Sequence, residues 1–127
     1  MDASFAHKAS NLTVAELTFD SFAQVAFGGT RGESTARQMV MRAEEFDIHI
    51  RIWTTKNGRE MLGQIQSTKS ESFTQNAQLY LLQDGKRIGS SKLNDLGEFH
   101  FSGVPEGFLN IQTDLPHLTV IGALYTT

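Results

Sequence analysis

Hydrophobic and polar positions alternate most cleanly in Phe46-Asp47-Ile48-His49-Ile50-Arg51-Ile52-Trp53, where Phe46, Ile48, Ile50 and Ile52 share one face and Asp47, His49 and Arg51 the other. That period of two predicts a strand with one buried and one solvated face. It runs into Lys56-Asn57-Gly58-Arg59, and Asn-Gly suits the two positive-φ positions of a type I′ hairpin turn. With Asn57 and Gly58 as the loop, Ile50 faces Ile65, Ile52 faces Gly63, and Trp53 faces Leu62 on the opposite side. A second hairpin is predicted from Ala77–Gln83 and Lys86–Ser90 across Asp84-Gly85, with Leu81 facing Ile88. Asn94-Asp95-Leu96-Gly97 then leads into Glu98–Ser102, where Phe99 and Phe101 share a face. Phe108–Thr113 and Leu118–Tyr125 complete a set of about seven short strands, the pattern of a small all-β sandwich.

Before Phe46 no such alternation is visible. Residues 12 to 27 are too apolar for a disordered tail, and four of the nine Phe (Phe5, Phe19, Phe22 and Phe27) precede Gly28. Val14, Leu17, Phe22 and Val25 fit one helical face, while Leu17 and Phe19 fit a short strand, and the pattern leaves both open. Residues 1–45 are therefore read as a partly ordered arm before a sandwich domain at 46–127. The arm either docks on its own sandwich or presents Leu17, Phe19, Phe22, Val25 and Phe27 to a protein partner or a second copy. Gly28 to Ser34 reads as a flexible link, and residues 35 to 45 as a brief helix or an extended lead into the first strand.

Composition narrows the function classes. The 127 residues hold no cysteine, which excludes disulfides, Cys-ligated metals and thiol nucleophiles. A net charge of −3 and a pI near 5.7 give no basic footprint for nucleic acid or an anionic membrane surface. No apolar run approaches the length of a membrane span, and the first residues lack the pattern of a secretory leader, so the expected location is cytoplasmic.

Candidate chemistry is sparse. Gly28 to Thr35 lacks the Lys of a phosphate loop and carries Glu33 instead. No serine sits in a Gly-x-Ser-x-Gly elbow. His49 and Arg51 share the polar face of one strand, and His100 that of another; adjacent strands would make them a polar site, although any solvated sheet face shows such alternation. No catalytic residue, metal or cofactor is assigned.

Gly63-Gln64-Ile65, Ala77–Leu81, Asn94–Phe101 and Val104–Ile111 resemble the strand and turn motifs of carboxypeptidase regulatory-like domains, most closely at Asp95-x-Gly97-x-Phe99-x-Phe101 and Val104-Pro105-x-Gly107. Leu109 stands where that family commonly has Tyr, and Asn94 where it has Thr. The resemblance implies a seven-stranded transthyretin-like (prealbumin-like, Greek-key) β-sandwich without catalytic residues. The whole chain is also similar to small bacterial proteins in which an extension ending in a motif like Arg37-Gln38-Met39-Val40 precedes one such domain, implying association with regulatory or signalling proteins. The expected function is a non-catalytic interaction or accessory module. The alternative is a small-molecule-binding protein or a transthyretin-like hydrolase using the polar faces around His49 and His100. Hydrolases of that fold end in Tyr-Arg-Gly-Ser, whereas here Tyr125 is followed by Thr126 and Thr127.

Overall fold

A computed structural model describes residues 12–22, 36–67, 77–116 and 118–127. It contains β1 (Leu12–Asp20), β2 (Ala36–Ala43), β3 (Phe46–Thr55), β4 (Gly58–Ser67), β5 (Gln78–Gln83), β6 (Lys86–Lys92), β7 (Glu98–Ser102), β8 (Gly107–Leu115) and β9 (Leu118–Thr126). The all-β class holds. The expected seven strands of a transthyretin-like sandwich are corrected to nine strands in one mixed sheet, ordered β6-β5-β8-β9-β1-β2-β3-β4-β7. The two further strands are β1 and β2, both within the segment read as an arm.

β1 explains how one sheet wraps around a core. Its first half, Leu12 to Ala15, pairs in parallel with β9, and its second half, Glu16 to Asp20, pairs antiparallel with β2 after a register shift between Leu17 and Phe19. A bulge adds a bend and extra twist, so one strand serves two sheet halves facing in different directions. At the other end β6 and β7 are drawn together by the turn at Leu93–Gly97, where the Asn94 side-chain oxygen accepts from the N–H groups of Leu96 and Glu98 at 2.9 and 2.8 Å. The His100 N–H donates to Ser91 Oγ at 3.2 Å across the remaining gap. Near closure reduces the exposed strand edge that would otherwise invite pairing with another chain.

The inner faces enclose a core whose fully buried side chains include Met39, Met41, Phe46, Met61, Leu79, Leu81, Phe99, Leu109, Ile111 and Val120. β2 contributes Met39, Met41 and Ala43, which meets the need of a small sandwich for more burial. Unbranched Met side chains suit the irregular space where sheet halves meet at an angle.

The β3/β4 register differs from expectation throughout, and the β5/β6 register departs from it only beyond the Leu82–Arg87 pair. In β3/β4 the loop residues are Lys56 and Asn57, so Ile50 faces Gly63, Ile52 faces Met61 and Trp53 faces Glu60. Gly58 has φ +129°, and the Thr55 hydroxyl accepts from Asn57 N–H and donates to Gly58 O, both at 3.1 Å. This register is offset by two from the expected one, a change that leaves every side chain on its original face. In β5/β6 the Asp84-Gly85 loop forms as expected, with φ of +55° and +79°. A register shift between Leu81 and Leu82 then sets Leu81 opposite Gly89 and leaves Ile88 exposed. Gly89 permits this because the Phe101 ring lies against it.

Candidate functional site

The strand order brings the polar residues of β3 and the exposed Phe19 of β1 onto one outer face. Cross-strand register aligns Phe19, Val40, His49, Gln64 and Glu98 in one row. The next row is Gln38, Arg51, Leu62 and His100, and beyond it stand Trp53, Glu60 and Ser102. A shallow open groove of about 360 Å³ crosses the first two rows. Phe19, Val40 and Leu62 supply its apolar surface, Gln38, Gln64 and Gln66 its amides, and His49 and Arg51 its basic groups.

The charges on this face are unequally engaged. Arg42 donates from Nε to Asp47 Oδ1 at 2.8 Å, with NH2 to Oδ2 at 3.4 Å. That hydrogen bond holds the Asp47 carboxyl below the usual carboxylate range, burial opposing it weakly, and raises Arg42. Glu98 accepts from Asn94 Nδ2 at 3.0 Å. Arg51, exposed on the groove wall, has no carboxylate partner among the described residues.

The structure separates the expected polar set. His49 and Arg51 line the groove, and His100 does not. His100 Nε2 lies 2.8 Å from Glu60 Oε1, and Ser102 Oγ donates to the same oxygen at 2.9 Å. The carboxylate stands between imidazole and hydroxyl, so the serine proton is directed to Glu60 rather than to the histidine, unlike the order in which a histidine activates a serine. Among the described residues no group of three or more His, Asp or Glu side chains is placed to hold a metal ion.

Of the expected partner-binding residues, Leu17, Phe19 and Phe22 are 47%, 37% and 49% exposed, while Val25 and Phe27 lie outside the described residues. Phe19 enters the groove. Phe22 lies beneath the Arg37 guanidinium, 4.7 Å from carbon to ring centre. Sequence reasoning missed Gln38, Val40, Leu62 and Gln64 as site residues, because they become neighbours only once β1, β2, β3 and β4 are known to be adjacent. The Gln64/Gln66 alternation opposite His49 and Asp47 was the available signal.

An apolar floor beside amides and an unpaired guanidinium can hold an apolar side chain, hydrogen-bond an extended main chain and pair with a carboxylate. No helix among the described residues is long and apolar enough to cross a membrane, which leaves membrane β-barrels unaddressed. Compared with known proteins, the chain matches no family model, no curated protein and no solved structure.

Proposed function

We propose that the protein is a non-catalytic interaction module whose groove along β1–β4 binds an extended segment of a partner protein carrying an apolar residue next to an acidic one. The observation supporting this is that exposed Phe19 and Arg51, which has no carboxylate partner among the described residues, line one open groove with an amide-lined wall. Peptide recognition of this kind draws affinity from a few anchors: one buried aromatic or aliphatic contact and one charged hydrogen bond. The hydrolase alternative loses support from the geometry, since His49 and His100 face different neighbours and Ser102 donates to Glu60. Kinship with carboxypeptidase regulatory-like domains belongs to this proposal only at the level of the Asp95–Phe101 turn and strand, which builds the β6/β7 corner and adds Glu98 to the groove edge.

Selection from a displayed random-peptide library tests the reading. The expected result is enrichment of peptides with Asp or Glu beside Leu, Ile or Phe, whose binding weakens about tenfold with Arg51→Ala, the scale of one charge-assisted hydrogen bond of about 1.5 kcal/mol. Enriched peptides that bind Arg51→Ala and Phe19→Asp as well as the unaltered protein would overturn it.

A further inference from the structure

The outer face on the other half of the sheet is built differently from the groove face. The outward positions of β2, β3, β4 and β7 carry Arg42, Asp47, His49, Arg51, Glu60, Glu98 and His100. Those of β5, β8 and β9 carry one charged residue, Asp114, whose Oδ1 accepts from Gln112 Nε2 at 2.9 Å and Thr119 Oγ1 at 3.2 Å. In place of charge this half exposes large apolar groups. Phe108 is 77% exposed and packs on Tyr125, which is 46% exposed, with ring centres 4.7 Å apart. Val14 and Leu12 of β1, 68% and 51% exposed, continue the surface past half-buried Ile121.

Apart from Asp114, charge stands at the lateral rims, positive on β6 and negative at Glu16 on β1, whose register neighbour on β2 is the Asp47-bonded Arg42. Arg87 and Lys92 stand on β6 at one side, and Glu16 stands on β1 at the other. The pairings Arg87↔Leu82, Leu82↔Asn110 and Asn110↔Ala123 set Arg87 level with Ala123. The parallel pairing Ala15↔Gly122 sets Glu16 at that same level on the far rim. The Arg87 guanidinium rests on the Tyr80 ring at 3.7 Å, without a carboxylate partner among the described residues, and Glu16 has no ion pair there either.

We infer that this face docks on a second copy of the chain, sheet against sheet, about a two-fold axis running along β8 parallel to the strands. Such an axis exchanges the two rims, so β6 of each copy lies over β1 of the other, and Arg87 meets Glu16 twice. A two-fold axis across the strands would instead place β6 over β6 and oppose like charges. A self-facing patch must avoid charge at its centre, because an isologous contact tends to bring each group close to its own copy. The uncharged stretch of β8 from Phe108 to Gln112 and the aromatic anchors have the composition of an interface core, and the Arg87–Glu16 level supplies register; Asp114, the next outward position on β8, would face its own copy and so marks the end of the contact. Phe108, on the central strand, falls beside the axis and packs against its counterpart. The groove on the other half stays open in both copies, and the inference does not depend on what the groove binds.

Sedimentation equilibrium of the full chain, with circular dichroism as a control for folding, tests the arrangement. The unaltered protein is expected to dimerise. Phe108→Asp at a largely exposed position should weaken dimerisation at least tenfold without altering the spectrum. Arg87→Glu and Glu16→Arg should each weaken it by about tenfold, and the double variant should restore it, because the charges are exchanged between facing rims. A monomer at all concentrations, as expected if another segment or another protein covers the face, would overturn the inference. So would a dimer insensitive to Phe108→Asp, or a double variant no better than the single ones.

Discussion

Arg37 holds Asp20 with two parallel hydrogen bonds, Nε to Oδ1 at 3.0 Å and NH2 to Oδ2 at 2.7 Å. Its remaining nitrogen, NH1, donates to the Tyr125 carbonyl at 2.7 Å, and the guanidinium covers the Phe22 ring. One side chain therefore ties the end of β1 to β2 and to β9, at the point where β1 has left β9 for β2. The side chains are only 13% and 16% exposed, so the pair is less screened than an ordinary surface salt bridge.

Replacing this fork should be costly, and Lys should not rescue it. Arg37→Ala is expected to destabilise the fold by about 1–3 kcal/mol, the scale of losing hydrogen bonds to a charged group. Arg37→Lys should recover less than half, because an ammonium cannot reproduce two parallel bonds together with a third to Tyr125. Urea unfolding of the three proteins measures both differences, and equal stability of the Lys variant and the unaltered protein would contradict this account.

The same pair sets a pH dependence. The hydrogen bond from Arg37 holds the Asp20 carboxyl below the usual carboxylate range, with partial burial opposing it, and Arg42 does the same for Asp47. A carboxyl whose folded pKa lies below its unfolded value contributes stability that is present above the unfolded value, near 3.9, and lost as pH falls through the folded one. Melting temperature should therefore decline from about pH 5 downward. Asp20→Asn should melt lower at pH 7 and show a shallower acid decline, so the two curves converge in acid. Parallel curves would show that Asp20 contributes no such linkage.

Gly63 and Phe99 face one another across β4 and β7, and a Cβ at Gly63 would enter the buried Phe99 ring. Gly122 has a softer obstacle, the Met41 thioether. Gly63→Ala should cost about 1–3 kcal/mol as an overpacking change, and Gly122→Ala less because a Met side chain can turn aside. Phe99→Leu made together with Gly63→Ala should be less damaging than the sum of the two changes, a coupling that a double-mutant cycle measures.

Two buried threonines should respond to Val in opposite directions. Thr113 Oγ1 is buried without a hydrogen-bond partner among the described residues, while Thr126 Oγ1 donates to the Pro105 carbonyl at 2.6 Å. Thr113→Val removes an unsatisfied hydroxyl at nearly constant shape and should stabilise by about 1 kcal/mol. Thr126→Val orphans a partner and should destabilise by a similar amount. Thermal unfolding of both variants gives the two signs.

Much of the core was legible from alternation: Phe46, Ile48, Ile50, Ile52, Phe99 and Phe101 are all buried as their spacing implies. The β3/β4 register was not, since a slip of two preserves every face and only the Thr55–Gly58 turn chemistry distinguishes the registers. β1 was hidden for another reason. It exchanges β9 for β2 midway and buries Ala15 alone among its nine residues, leaving no amphipathic pattern to read. In the groove, His49 and Arg51 could be selected from one strand, whereas Phe19 and Gln64 required the strand order. His100 was diverted by Glu60, a residue that nothing local to His100 indicates.

The central claim is that the groove along β1–β4 is the binding surface, and amide chemical-shift mapping tests it most directly. On titrating the best-enriched acidic–apolar peptide into isotope-labelled protein, the account predicts changes concentrated at Phe19, Val40, His49, Arg51 and Leu62, lost in Arg51→Ala. Changes centred instead on β5, β8 and β9, or spread evenly over the surface, would contradict it.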